Sequence, residues 1–208
     1  SDGAVWSWGF GGSGKLGHGD QQHQPLPKKV EAFAGQRADE GSAGGEDSRA
    51  RTADGAVWSW GWRASGRLGH GDTQDQLLPK KIEALAWKRV VAVAAGGFHS
   101  LALAANGEVW SWGFGGRGEL GHGDLQAQWQ PKKIEAFAGR RVVAVSAGYG
   151  LSIAITADGA AWSWGMGASG KLGHGDTQDQ LLPKRIEAFA GQRVVAVSAE
   201  DNSNAPTP

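Results

Sequence analysis

The chain has 208 residues with 21 basic and 21 acidic side chains, so its formal net charge is zero, and it contains no cysteine. A neutral chain has little long-range attraction for phosphate backbones or anionic lipid, and a chain without thiols forms no disulfide or zinc–thiolate site. No apolar run approaches the roughly 18 residues of a membrane-spanning helix. We therefore expect no membrane partner, no nucleic-acid partner, and an intracellular location in the cytoplasm or nucleus.

A repeat organises the whole chain. A Trp-Ser-Trp-Gly motif and a Leu-Gly-His-Gly-Asp motif each recur four times in steps of 52 residues, without insertion or deletion. Strict periods of this length mark solenoids, propellers or arrays, so the period constrains the fold more than any local pattern. The repeated residues are Trp8, Trp60, Trp112 and Trp164; His18, His70, His122 and His174; and Asp20, Asp72, Asp124 and Asp176.

Each repeat predicts four short strands, which the copy beginning at residue 90 shows most clearly. An apolar run, typical of a strand covered on both faces, is followed by a weakly alternating segment and then by the hairpin signal Asn106-Gly107. A third strand and a long glycine-rich loop precede the fourth strand. Four antiparallel strands in a unit of this length are typical of a propeller blade. We place these strands at 90–93, 99–104, 108–112 and 132–137.

The repeat domain is predicted over residues 1–199, and the polar segment 200–208 is expected to be a disordered tail. In the first copy, residues 38–51 keep the repeat length but lose its apolar pattern, so we expect them to be loosely ordered or badly paired. They are either a degenerate repeat or damaged reading frame, or a regulated acidic loop. The repeat segments are 1–37, 52–89, 90–141 and 142–193.

The last copy supplies a run at 194–199 but no following partner strand of the type found at 99–104. A blade interrupted in this way would expose an apolar face and an unpaired strand edge. The sequence therefore predicts an incomplete or open propeller, which either belongs to a longer parent protein or associates with itself through its open blade edges.

The order Gly-x-Val-Trp-Ser-Trp-Gly, Gly-x-Leu-Gly-His-Gly-Asp, Pro-Lys-Lys-Ile and Val-Val-Ala-Val-x-Ala-Gly closely resembles the repeat of the regulator of chromosome condensation family, over residues 1–199. The resemblance implies an all-β, seven-bladed β-propeller, of which four copies are present. Many members of the family are protein-interaction scaffolds, often within a larger chain such as a ubiquitin ligase. We therefore predict a scaffold with no enzymatic activity, no cofactor and no metal.

Two other functions remain open. The founding member of the family is a guanine-nucleotide exchange factor for a small GTPase, but the strict period leaves no room for its β-hairpin insertion. A plant ultraviolet-B receptor in the family uses tryptophans of a Gly-Trp-Arg-His-Thr motif. The matching segments are 96–100 and 148–152, and both lack the tryptophan and the arginine.

The repeated motifs are expected to be structural: glycines supply turns, aspartates cap them, and tryptophans two apart on a strand pack blades together. Positions that differ between copies are better candidates for partner binding. Trp87 replaces a glycine, Trp129 replaces a proline or leucine, and Tyr149 is unique in the chain. The expected partner is a protein that the sequence does not identify; a small GTPase and a chromatin protein are two candidates. Paired basic residues such as Lys132-Lys133 predict a solvated rim, or else a contact with an acidic surface.

Overall fold

The computed structural model describes residues 3–199 and confirms the all-β prediction. Its strands form one two-stranded and three four-stranded antiparallel sheets. No helix in this part of the chain is long and apolar enough to cross a bilayer. The strands are β1 (Trp6–Gly9), β2 (Gln24–Lys29), β3 (Ala38–Ala43), β4 (Asp47–Thr52), β5 (Val57–Gly61), β6 (Gln76–Lys81), β7 (Val90–Ala95), β8 (His99–Ala104), β9 (Val109–Gly113), β10 (Gln128–Lys133), β11 (Val142–Ala147), β12 (Leu151–Thr156), β13 (Ala161–Gly165) and β14 (Gln180–Arg185).

Seven short 3-10 helices connect these strands. Three follow the Trp-Ser-Trp-Gly motif, and four follow the last strand of a sheet. They are η1 (Gly12–Gly14), η2 (Glu31–Phe33), η3 (Ala64–Gly66), η4 (Glu83–Leu85), η5 (Glu135–Phe137), η6 (Ala168–Gly170) and η7 (Glu187–Phe189).

The sheets are successive blades of a partial propeller, as predicted. We call β3–β6 the first blade, β7–β10 the second blade, β11–β14 the third blade, and β1–β2 the half-blade. Strand order within each sheet follows the chain, and the first strand of each blade contacts the first strand of the next. These first strands, β3, β7 and β11, therefore form the inner edge of the ring, and β6, β10 and β14 form its outer edge.

The fourth strand of each repeat lies earlier than predicted. In the second blade it is Gln128–Lys133 and not 132–137, because the ladder with β9 ends where Ile134 N–H donates to the carbonyl of Val109 at 2.9 Å. The chain then turns through η5, which places both Ile134 and Phe137 in the core. The apolar residues of this segment are spaced as in a tight helical turn. In so short a segment, that spacing does not distinguish a helical turn from a strand.

Residues 38–51 are ordered as two strands, so the expectation of a loose segment or loop is wrong. Strands β3 and β4 pair in the same register as β7 and β8, and the first complete blade begins at Ala38. Ala95 N–H donates to Ser42 Oγ at 3.1 Å, and Arg51 pairs with Glu40 at 3.3 Å. Backbone hydrogen bonds and polar contacts stabilise this hairpin, whereas apolar side chains stabilise the corresponding hairpins of the other two blades.

This hairpin also buries charges between the first and second blades. Arg49 Nη2 lies 2.5 Å from Asp47 Oδ2, and Arg67 Nη1 lies 3.9 Å from the other carboxylate oxygen. Leu101 and Ile153 occupy the place of Arg49 in the other blades. Burial raises the pKa of Asp47 and lowers the pKa of Arg49, because neither charge is solvated. Well-directed hydrogen bonds to the Asp47 oxygens are absent within residues 3–199. The joint therefore carries the desolvation cost of a buried ion pair.

Residues 194–199 form no strand in the described part of the chain. They still lie along the third blade, because Ala199 N–H donates to Ser146 Oγ at 2.9 Å, as Ala95 does to Ser42. The predicted tail at 200–208 lies outside the described residues.

Candidate functional site

The second tryptophan of each Trp-Ser-Trp-Gly motif connects neighbouring blades. The indole Nε1–H of Trp112 donates to the carbonyl of Arg67 at 2.9 Å, and Trp60 and Trp164 make the same bond to the preceding repeat. Gly69, at φ +78°, lies against this ring, where an added Cβ would be 2.8 Å from the Trp112 nitrogen. Only glycine therefore fits both the turn and the close approach. Trp8 has no preceding blade in the described chain and is 60% exposed.

The histidines and aspartates of the repeat make hydrogen bonds that stabilise the turn against which this indole packs. In all four copies His Nε2 lies 3.0 Å from the Ser Oγ of the tryptophan motif, and that hydroxyl donates to a leucine carbonyl. Each histidine must therefore donate from Nε2. Each aspartate accepts the amide two residues later at 3.0–3.2 Å. Within residues 3–199, no group of three or more acidic, histidine or cysteine side chains could hold a metal.

The buried histidines predict that stability falls in mild acid. Burial lowers the pKa of His99 to about 3, with a contribution from the Arg49 charge, and lowers the pKa of His122 to about 4. An unfolded histidine takes a proton near pH 6.5, so the folded state loses stability as the pH falls below that value. His99 alone should cost about 2 kcal/mol between pH 6.5 and pH 5, at about 1.4 kcal/mol per pH unit.

Urea unfolding across this pH range measures the loss. His99→Leu is the matched variant, because the third blade has Leu151 at the same place. It should flatten the pH dependence while leaving the Ser152 hydroxyl bonded to the carbonyl of Glu119. An unchanged slope in this variant would show that other groups titrate.

Trp87 and Trp129, two of the predicted partner-binding residues, lie on different parts of the ring. Trp87 is 70% exposed and packs edge-on against Trp110, with Lys88 Nζ 4.1 Å from its ring centre. Trp129 lies on the outer strand β10, against the backbone of Gly66 in the first blade. The structure does not bring these two side chains together.

Tyr149 belongs to a continuous group of rings at the other end of the strands from Trp87. Its ring centre is 5.3 Å from that of Phe98, which is 6.3 Å from that of Phe114. The guanidinium of Arg67 bridges Phe98 and Trp62, at 5.0 and 4.9 Å. We call these four rings, Trp62, Phe98, Phe114 and Tyr149, the aromatic face. Trp62, Phe114 and Tyr149 are each 38% exposed, so large apolar area faces solvent across three blades.

Arg67 packs against the aromatic face through its contacts with Trp62 and Phe98. Its side chain is buried, with Nη1–H donating to the carbonyl of Gly97 at 3.2 Å and Nε–H to that of Ala64 at 3.0 Å. The backbone carbonyl of Arg67 also accepts the hydrogen bond from the Trp112 indole. The aromatic face is therefore connected to the joint between the first two blades. Such fixed rings lose little conformational freedom when a partner binds.

Of this group, the sequence singled out Tyr149 but not Trp62, Phe98 or Phe114. A signal was present, because the residue after each Trp-Ser-Trp-Gly motif is always large and apolar but is of three types in the four copies: Phe10, Trp62, Phe114 and Met166. A position that varies while its neighbours repeat does not share their role in packing the blades together.

Comparisons with known proteins agree with the propeller fold. The family model for the RCC1-like domain matches residues 1–204. The chain is 40% identical over 195 residues to the ultraviolet-B receptor UVR8 of Arabidopsis thaliana, covering 93% of this chain and 44% of that protein. It is also 40% identical to the E3 ubiquitin-protein ligase HERC2 of Homo sapiens over 200 residues, covering 95% of this chain and 4% of HERC2.

Among solved structures, Prp20p of Saccharomyces cerevisiae superimposes with a TM-score of 0.82 at 26% identity, covering 95% of this chain and 50% of that one. The chain therefore spans half or less of the length of each of these three proteins. What the complete proteins bind or catalyse does not transfer with the fold alone.

Proposed function

This chain belongs to the family of RCC1-like domains, and from that premise we propose that it is a protein-interaction module whose partner docks on the aromatic face. The observation that carries the proposal is the unbroken contact from Trp62 through Arg67 and Phe98 to Phe114 and Tyr149. Aromatic and arginine side chains dominate the energetics of protein interfaces. Singly exposed rings are ordinary, but a contiguous group on a rigid surface marks a binding site.

The three residues predicted from sequence have different places in this proposal. Tyr149 lies in the aromatic face. Trp129 lies on the outer strand β10, and Trp87 lies at the opposite end of the strands from Tyr149, so Trp87 is separated from the aromatic face. This separation supplies an internal control, because an exposed tryptophan away from the proposed site can be removed in parallel.

Affinity capture with tagged chains tests the proposal. The double variant Phe114→Ala, Tyr149→Ala should lose partners by at least about tenfold, since truncating interface anchors costs more than about 1.4 kcal/mol. Trp87→Ala should retain them. Both chains should unfold at similar temperatures, because these side chains are partly exposed. Equal loss from the two variants would argue against the aromatic face.

A second candidate function is nucleotide exchange on a small GTPase. Prp20p, half of which is similar to 95% of this chain, has binding properties to Gsp1p and histones. An exchange factor works by binding and distorting the GTPase, so it needs no catalytic side chain. Release of labelled nucleotide from Gsp1p, with and without the chain, separates the two functions: the scaffold proposal predicts no acceleration.

Two further sequence predictions concern the cellular location and light sensing. An intracellular location, with a chromatin protein as an alternative partner, agrees with the binding of Prp20p to histones. Light sensing is the least supported function despite the similarity to UVR8. The two segments that resemble its motif have Gly97 and Tyr149 at the place of the tryptophan, and Phe98 and Gly150 at the place of the arginine.

A further inference from the structure

A groove opens at the end of the second blade that lies away from the aromatic face. It has a volume of about 340 Å³ and lies between the hairpin Asn106-Gly107 and the turn that follows η5. Ile134 and Phe137, which are both buried, contribute to its apolar lining. The groove therefore combines apolar surface with charged and polar side chains, which are those of Asn106, Glu108, Lys133, Arg140 and Arg141.

Three positions around this groove depart from the repeat, and two of them make the groove more cationic. Asn106 replaces the aspartate of every other copy, and Arg140 replaces the glutamine of the half-blade and the third blade. Glu108 replaces an alanine, but its carboxylate pairs with Lys88 and, at 3.1 Å, with Lys133. These changes leave the groove of the second blade with an excess of positive charge.

The two arginines of the groove have fixed stems and exposed guanidinium groups. An added Cβ on Gly107 would be 2.7 Å from Arg141 Cγ, so the Arg141 stem lies against the hairpin. The guanidinium of Arg140 lies 5.1 Å from the ring centre of Trp162, and its Nη1–H donates to the carbonyl of Ala136 at 3.2 Å. Both arginines are exposed, and among residues 3–199 neither forms an ion pair. Side chains positioned in this way lose less conformational freedom when they bind an anion.

We propose that this groove binds an acidic segment of a partner protein, with a carboxylate side chain of that segment paired with Arg140 and Arg141. A guanidinium group suits a carboxylate because it can donate two parallel hydrogen bonds to the two oxygens. The apolar lining would contact an apolar residue beside that carboxylate. The groove lies at the opposite end of the strands from the aromatic face, so the proposal does not depend on the proposed function.

The occupant is assigned as an acidic peptide segment because the lining of the groove is mixed. Glu108 and Glu135 lie 3.1 and 3.7 Å from Lys133, where they would repel a continuous run of phosphates. The chain as a whole also has no net positive charge to attract a nucleic acid. Separate carboxylates between apolar residues fit a groove in which cations, a paired carboxylate and apolar surface alternate.

Fluorescence anisotropy with the whole 208-residue chain tests the proposal. The probe is a fluorescein-labelled peptide of sequence Leu-Glu-Glu-Leu-Glu-Glu-Leu, and its control peptide has glutamine in place of each glutamate. The chain should bind the glutamate peptide at least about tenfold more tightly than the glutamine peptide, because hydrogen bonds between charged groups are the stronger ones.

Two substitutions install the residues of the other copies in this groove. Asn106→Asp should keep the turn, because Asn106 Oδ1 accepts the amide of Glu108 at 3.1 Å. Asp158 Oδ1 accepts the amide of Ala160 in the same way, at 3.2 Å. Arg140→Gln removes an exposed charge. Each substitution should weaken binding of the glutamate peptide by about three- to fivefold, and the double variant by about tenfold or more. Their thermal unfolding midpoints should match that of the wild type.

Arg193→Gln is the matched control, because Arg193 lies against Gly159 in the third blade as Arg141 lies against Gly107. This variant, and the aromatic-face variant Phe114→Ala, Tyr149→Ala, should bind the glutamate peptide like the wild type.

Four results would overturn the proposal. Equal weakening by Arg193→Gln would show that the peptide responds to overall charge. Loss of binding in the aromatic-face variant would place the peptide at that face. Equal affinity for the two peptides would show that carboxylates are not recognised, and tighter binding of a labelled thymidine oligonucleotide would assign the groove to phosphates.

Discussion

Replacing Arg49 by alanine should destabilise the protein by about 3–5 kcal/mol, because it leaves the Asp47 carboxylate buried with an incomplete ion pair. Arg67, at 3.9 Å, would then be the remaining ion-pair partner of that charge among residues 3–199. Urea unfolding followed by tryptophan fluorescence measures the loss. A cost near zero would mean that water reaches Asp47 in solution and that this joint is not closed.

The double variant Asp47→Leu, Arg49→Ile should have the opposite effect. It installs the residues that the third blade carries at these places, Leu151 and Ile153. Removing a buried ion pair in favour of packed apolar groups is often stabilising, by about 1–4 kcal/mol. Arg67 loses the carboxylate at 3.9 Å, but it also loses the like charge of Arg49 and keeps its bonds to the carbonyls of Gly97 and Ala64. The midpoint of thermal unfolding should rise by about 2–4 °C per kcal/mol in a chain of this size. A double variant less stable than the wild type would contradict the desolvation argument.

Trp112→Ala should cost about 3–5 kcal/mol, the usual range for deleting a buried tryptophan. The ring fills the joint between the first two blades, and its Nε1–H satisfies the carbonyl of Arg67. Because Arg67 also supports the aromatic face, the loss should loosen Trp62 and Phe98 as well.

Trp8→Ala is the matched control, since Trp8 occupies the same motif position but is largely exposed. Its cost in a dilute, monomeric sample should stay within about 0.5 kcal/mol. Equal costs for the two substitutions would show that the motif acts within each blade and not between blades.

The fold could be predicted from sequence because its determinants repeat. An uninterrupted period, hairpin turns at Asp54-Gly55, Asn106-Gly107 and Asp158-Gly159, and short apolar runs all indicate blades. The hairpin at 38–51 could not be predicted from its own side-chain pattern. Its backbone ladder with β5, and the hydrogen bonds that Glu40 and Ser42 accept from amides of β7, depend on neighbouring strands that do retain the pattern.

The site was less predictable, because its members are far apart in sequence. Tyr149 stood out by residue type, but its contact with Phe98 depends on how two blades sit side by side. Trp87 stood out equally and lies at the other end of the strands. Composition can indicate an unusual residue, but only the arrangement of blades shows which unusual residues share a surface.

Photo-crosslinking tests the central claim, that partners dock on the aromatic face, most directly. A benzoylphenylalanine placed at residue 149 should give discrete crosslinked products in lysate, and these should disappear when Phe114→Ala is added. The same probe at residue 87 should not give those products. Products of the same mass from residue 87 alone, or none from residue 149, would contradict the account and place partner binding elsewhere on the ring.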